Sequence, residues 1–140
     1  MNRQPLLCAL LLMSLPAVAS DEIEFRCPPR ISAIQKLAQP VPGWRESLPA
    51  DDGHFLALAM FSDGAPEKQA WLVPDSEDQP KNKVSTAKWK FAASENIWLS
   101  CQYRQTTVMV SRQLPAGLKR CSIRMDPSKA IEVQRVWCEK

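Results

Sequence analysis

The stretch "WLSCQYRQTTVMVSRQLPAGLKRCSIRMD", residues 98–126, alternates apolar and polar residues on both sides of a short polar break, and it carries Cys101 and Cys121. A period of two puts successive side chains on opposite faces, which is the pattern of a half-buried β-strand. With Ile97 just upstream, Leu99, Cys101 and Tyr103 share one face of a first strand. "TTVMVSRQL" (106–114) supplies a second, so a hairpin is predicted around Arg104-Gln105-Thr106. "LKRCSIRM" (118–125) places Cys121, Ile123 and Met125 on one face of a third strand.

Outward from this segment the same signal recurs. "EIEFRC" (22–27) alternates before Pro28-Pro29, and "HFLALAMF" (54–61) is an apolar run suited to a buried strand. "KQAWLV" (68–73) reads as a short strand that stops at Pro74. "KVSTAKWKF" (83–91) sets Ser85, Ala87, Trp89 and Phe91 on one face. "AIEVQRVWC" (130–138) follows a turn at "DPSK" (126–129), where proline comes after aspartate. "RISAIQKLA" (30–38) is ambiguous, because Ile31, Ile34 and Leu37 also fit a short helix. "PDSEDQPKN" (74–82) reads as a polar loop. No window carries a convincing helical stripe, and twelve prolines punctuate the chain. The expected fold is all-β: an antiparallel sandwich or open barrel of seven to nine short strands.

Residues 1–20 read as a signal peptide rather than as part of that fold. Arg3 gives a positive start, an apolar run begins at Leu6, and "PAVAS" (16–20) supplies small residues for cleavage after Ala19 or Ser20. The apolar run falls short of the roughly 20 residues of a membrane span. Leu7 before Cys8 is the wrong neighbour for lipid attachment, so Cys8 is expected to leave with the leader. Residues 21–140 then form a single disulfide-braced β-domain, in the periplasm. Loss of Arg3 takes the formal charge from +3 to +2, too little to argue for nucleic acid.

Four cysteines remain: Cys27, Cys101, Cys121 and Cys138. In an exported domain an even number reads as two disulfides, with three connectivities open. Pairing Cys27 with Cys138 would pin the two ends of the domain, and Cys101–Cys121 would staple the third strand onto the hairpin. Zinc is disfavoured by the lack of any CxxC and by the single histidine. No metal and no cofactor are expected.

Catalytic motifs are not found either. His54 opens an apolar strand after Asp51-Asp52-Gly53, a sequence that more often makes a turn. No GxSxG, phosphate loop, EF-hand or dinucleotide fingerprint is present. The chain is therefore read as a non-enzyme with no catalytic residues. A cell-wall hydrolase, the competing reading, would rest on Asp51, Asp52 and His54. Trp71, Trp89 and Trp98 belong to apolar alternations and read as core, whereas Trp44 in "PVPGW" (40–44) reads as partly exposed. Arg104, Arg112, Lys119, Arg120 and Arg124 read as a solvated basic face. Negative charge collects in two loops, at Asp63 and Glu67 in "SDGAPE" (62–67) and at Asp75, Glu77 and Asp78 in 74–82. Those five carboxylates are the candidate partner-binding residues.

Two stretches also carry a resemblance. "FSDGAPEKQAWLVPD" (61–75) has an aromatic-x-Asp-Gly turn, a Pro-Glu pair and "LVPD"; the opening quotation has Trp-Leu-x-Cys-x-Tyr, Leu-Pro and a second cysteine. Together with Cys27-Pro28 and Cys138 they resemble a family of small, uncharacterised proteobacterial periplasmic proteins with a signal peptide and four cysteines. One founding member of that family is encoded in a type VI secretion island. The resemblance implies a periplasmic location and a setting suited to immunity proteins that neutralise periplasm-acting toxins. It carries no site residues, because the shared motifs are turn and cysteine positions. In size, cysteine use and β-character the chain is also similar to periplasmic lysozyme inhibitors, but it lacks their Ser-Gly-rich inhibitory loop. The expected function is thus a monomeric periplasmic binding protein that blocks a toxin or wall-degrading enzyme. A structural or envelope-associated role is the alternative.

Overall fold

The computed structural model describes residues 21–48, 51–78, 83–92 and 95–140. Residues 1–20, where a signal peptide is expected, and positions 79–82 of the polar loop lie outside the described residues. The hairpin forms where its alternation places it. Strand β6 (Ile97–Tyr103) pairs antiparallel with β7 (Met109–Gln113), Cys101 opposite Val110, and the ladder is centred between Gln105 and Thr106. Ile97, Leu99, Cys101 and Tyr103 are all buried, as their shared face requires.

Strand β3 (Gly53–Asp63) flanks β6 on its other side and carries a β-bulge between Leu56 and Leu58. One extra residue in a strand reverses which parity faces inward. His54 and Leu56 are buried before the bulge, and Ala59 and Phe61 after it. "HFLALAMF" reads as a continuous apolar run because the residues between these, Phe55, Ala57, Leu58 and Met60, are apolar as well. Strand β2 (Arg30–Ser32) pairs with β3 and completes a four-stranded sheet in the order β2-β3-β6-β7.

The second sheet has five strands in the order β1-β9-β8-β5-β4. It comprises β1 (Glu22–Phe25), β4 (Ser76–Asp78), β5 (Ser85–Lys90), β8 (Arg120–Met125) and β9 (Val133–Glu139). All pairings are antiparallel. The two inner faces share one core. Phe61 of β3 is fully buried and meets the Trp89 and Phe91 rings edge-on at 5.0 and 5.6 Å. Leu99, Ile123 and Val136 are among the other buried residues of this core. The architecture is an all-β sandwich of nine strands among the described residues.

The cysteines do form two disulfides, but between other partners than Cys27–Cys138 and Cys101–Cys121. Cys121 stands directly opposite Cys138 in the β8–β9 ladder, with Cα atoms 4.0 Å apart, and bonds to it. Cys101 bonds to Cys27, just beyond β1, at a Cα separation of 5.9 Å. Both Cys101 and Cys121 do face inward. The error lies in strand partnership: β8 joins β5 and β9 in the opposite sheet rather than extending the hairpin. Cys27–Cys101 therefore ties one sheet to the other, and Cys121–Cys138 braces neighbouring strands.

Three local expectations also change. "KQAWLV" is no regular strand: a 3-10 turn at Pro66–Lys68 and the left-handed Gln69 (φ 54°) precede a single bridge between Trp71 and Ser62. The polar loop 74–82 contains β4, held by backbone pairing to β5. In "RISAIQKLA" only Arg30–Ser32 is regular, so the helical option is not taken.

Candidate partner-binding surfaces

At the β2–β3 end, a cleft of about 580 Å³ is lined by residues that include Ile34, Leu48, Asp51, Asp52, His54 and Gln105. Its polar groups are engaged in holding the chain. Asp51 Oδ1 accepts the Gly53 N–H at 2.8 Å and Arg30 Nη2 at 2.7 Å. The Gly53 N–H first, and the Arg30 charge second, hold the Asp51 carboxyl below its ordinary 3.8. The Arg30 guanidinium packs against Gly53, where a Cβ would fall 1.9 Å from its Nη2 and displace it. The same guanidinium sits 5.6 Å from the Phe55 ring centre. His54 is buried, and its Nδ1–H donates to the Arg104 carbonyl at 2.8 Å. The three residues of the hydrolase alternative thus do meet, and two of them serve to fasten β2 and the β6–β7 turn to β3.

Beyond β2, residues 33–48 form an irregular loop. The Leu37 N–H donates to Glu46 at 2.8 Å, and Gln35 Nε2 donates to the Gln105 carbonyl at 3.0 Å. Ile34, Leu37, Val41, Trp44 and Leu48 are all exposed, Trp44 by 82%. Phe55 adds an exposed ring on β3. Of these, Ile34 and Leu48 line the cleft just described, and Leu37 and Leu48 border a second one. From sequence only Trp44 is legible as partly exposed; apolar spacing alone does not separate a core stripe from an open loop.

The five candidate carboxylates do not converge. Asp63 ends β3 and accepts the Asn96 N–H at 3.2 Å, while Glu67 lies in the 3-10 turn beside it. Asp75 accepts the Lys90 N–H at 2.6 Å, and Asp78 pairs with Lys88 at 2.8 Å, both along the β4–β5 edge. Glu67 and Glu77 have no hydrogen-bond or ion-pair partner among the described residues. Glu67 also borders a groove of about 450 Å³ with Trp71, Gln102, Met109 and Ser111. Two of the five basic residues are paired with carboxylates, Arg104 with Glu132 and Arg120 with Glu139, and Arg112 sits over the Phe25 ring.

Among the described residues no cluster of three His, Cys, Asp or Glu side chains is arranged to hold a metal ion. No helix there is long and apolar enough to cross a membrane. A family model described as "Type VI secretion system Tli immunity protein" matches residues 49–139, from the residues before β3 to the end of β9. No curated protein and no solved structure gives a significant match.

Proposed function

The chain belongs to the Type VI secretion system Tli immunity protein family, and from that premise we propose that it binds and neutralises an effector toxin that acts in the periplasm. The family match over residues 49–139 carries this reading. The scaffold supports it physically. Cys27–Cys101 and Cys121–Cys138 fix both sheets before any partner arrives, so little conformational entropy remains to be lost on binding. Disulfides persist in oxidising compartments, which supports a periplasmic site of action.

In this reading the protein is not an enzyme and needs no cofactor; it acts as a monomer that occludes its target. Asp63, Glu67, Asp75, Glu77 and Asp78 remain the proposed acidic contacts, with Glu67 and Glu77 free to meet cationic groups of an effector. The apolar loop at 33–48 adds an anchor, because exposed Trp44 beside Arg45 combines two residue types that dominate binding energy at interfaces.

The test is co-purification of the domain with the products of the adjacent genes, among which this reading expects a secreted effector, together with deletion of the gene. A stable complex and cells sensitised to that effector are expected. A domain that ignores the effector, in cells that stay resistant without it, would refute the reading.

A further inference from the structure

Resting on that reading, we propose that β7 is the docking edge, and that an extended segment of the effector adds to it as a further β-strand. Each sheet has two edges, and they are unequally protected. β1 carries Glu22 and Glu24, both paired with Arg135. β4 has three residues, two of them acidic, and β2 has three led by Arg30. Short length and charge are the usual devices that keep a sheet edge from recruiting another strand. β7 is the longest of the four edges, with five residues, Met109–Gln113, and carries a single charge. That charge, Arg112, is turned to the Phe25 ring.

The direction of the free backbone groups follows from one bond. Leu114 N–H donates to the Ile97 carbonyl at 2.9 Å, and the β6–β7 register is unbroken. In an antiparallel ladder alternate residues point the same way. Val110 and Arg112 therefore bond to β6, whereas Met109, Ser111 and Gln113 direct N–H and C=O away from the sheet. An extended chain satisfies such a row, since strand addition supplies donors and acceptors at the same two-residue spacing.

Side chains define the occupant further. Met109 and Ser111 lie on the outer face, in contact with Gln102 at 3.2 Å and with Ser100 at 2.8 Å. The groove on that face is closed opposite by Trp71 and Glu67, and Glu67 is the one ionisable residue lining it. The complementary segment is extended and carries a Lys or Arg among uncharged neighbours at alternate positions.

Hydrogen exchange by NMR on the intact domain, alone and with the effector that co-purifies with it, reads this directly. In the free protein Val110 and Arg112 amides exchange slowly, and Met109, Ser111 and Gln113 exchange fast. In the complex the second set slows by about a hundredfold or more. Met109→Pro, at the first strand position with an outward N–H, keeps the fold and weakens binding by about tenfold or more. Glu67→Lys weakens it in the same direction. If the wild type binds but those three amides stay fast, or both variants bind unchanged, the docking edge is wrong while the neutralising function stands. If the wild type does not bind, the functional reading itself falls, and this inference with it. Slow Met109, Ser111 and Gln113 amides in a free protein of doubled mass would overturn the effector as occupant in favour of a second copy.

Discussion

Removing Cys27–Cys101 destabilises the domain more than removing Cys121–Cys138, although the second bond joins two of the most buried residues in the chain. The reason lies in the unfolded state. The first bridge closes a loop with a sequence separation of 74 and the second one of 17. In the loop-entropy account these correspond to about 4.5 and about 3 kcal/mol. Loop length alone sets the two double alanine variants about 1.5 kcal/mol apart, and the fuller burial of Cys121 and Cys138 than of Cys27 works against that difference. The native ladder also keeps β8 and β9 adjacent without their bond, whereas no backbone ladder replaces the link from Cys27 to β6. Either loss is large against a net stability of roughly 5–15 kcal/mol. Urea denaturation of C27A/C101A and C121A/C138A measures it. With a slope of about 1–3 kcal/mol/M, the midpoints separate by roughly 0.5–1.5 M, with C27A/C101A the lower. The reverse order, or equal midpoints, would refute the entropic reasoning. Non-reducing peptide mapping of the wild type, which should yield Cys27–Cys101 and Cys121–Cys138 fragments, secures the starting point.

Other perturbations have equally definite outcomes. Phe61→Ala empties the contact between the sheets and costs about 3–5 kcal/mol in chemical denaturation; a loss under about 1 kcal/mol would mean that the ring does not fill the core as described. Asp126 accepts both the Ser128 hydroxyl and its N–H, which hold its carboxyl below 3.8. A carboxylate depressed in the fold contributes stability above its unfolded value and loses it as pH falls through the folded one. Asp126→Asn should therefore flatten part of the stability loss below about pH 4, and an unchanged acid limb would contradict this. His54→Ala breaks the bond to the Arg104 carbonyl and lowers thermal stability while effector binding persists; a stable variant that no longer protects cells would revive a chemical role for the Asp51–His54 cluster.

How far the residues announce this structure depends on the range of the interaction that decides each part. The β6–β7 hairpin is legible because its partners are adjacent in sequence and Leu99, Cys101 and Tyr103 alternate without interruption. β3 is recognisable as buried, yet its bulge hides the change of inward parity between Leu56 and Ala59. The disulfides fail at the level of sheet order. A tight turn at "DPSK" would set Cys121 opposite Gln134, but the connection runs on to Glu132, closed by its carbonyl to the Asp126 N–H at 2.8 Å. That lengthening, with a bulge at Met125, brings Cys138 opposite instead. The carboxylates were found by composition, but composition does not show that Asp63, Asp75 and Asp78 spend their oxygens on the chain itself. The β7 edge is invisible in sequence, because an edge strand and a central one share the same alternation, and only the order of strands leaves Ser111 facing outward.

The account stands or falls on inhibition of the effector that the proposed function requires. Purified effector is assayed against its own substrate while the oxidised domain is added in steps. Effector activity is predicted to fall linearly and to vanish near one equivalent of domain, with Glu67→Lys shifting the curve to higher concentration. Undiminished activity at a large excess of folded domain would contradict the central claim.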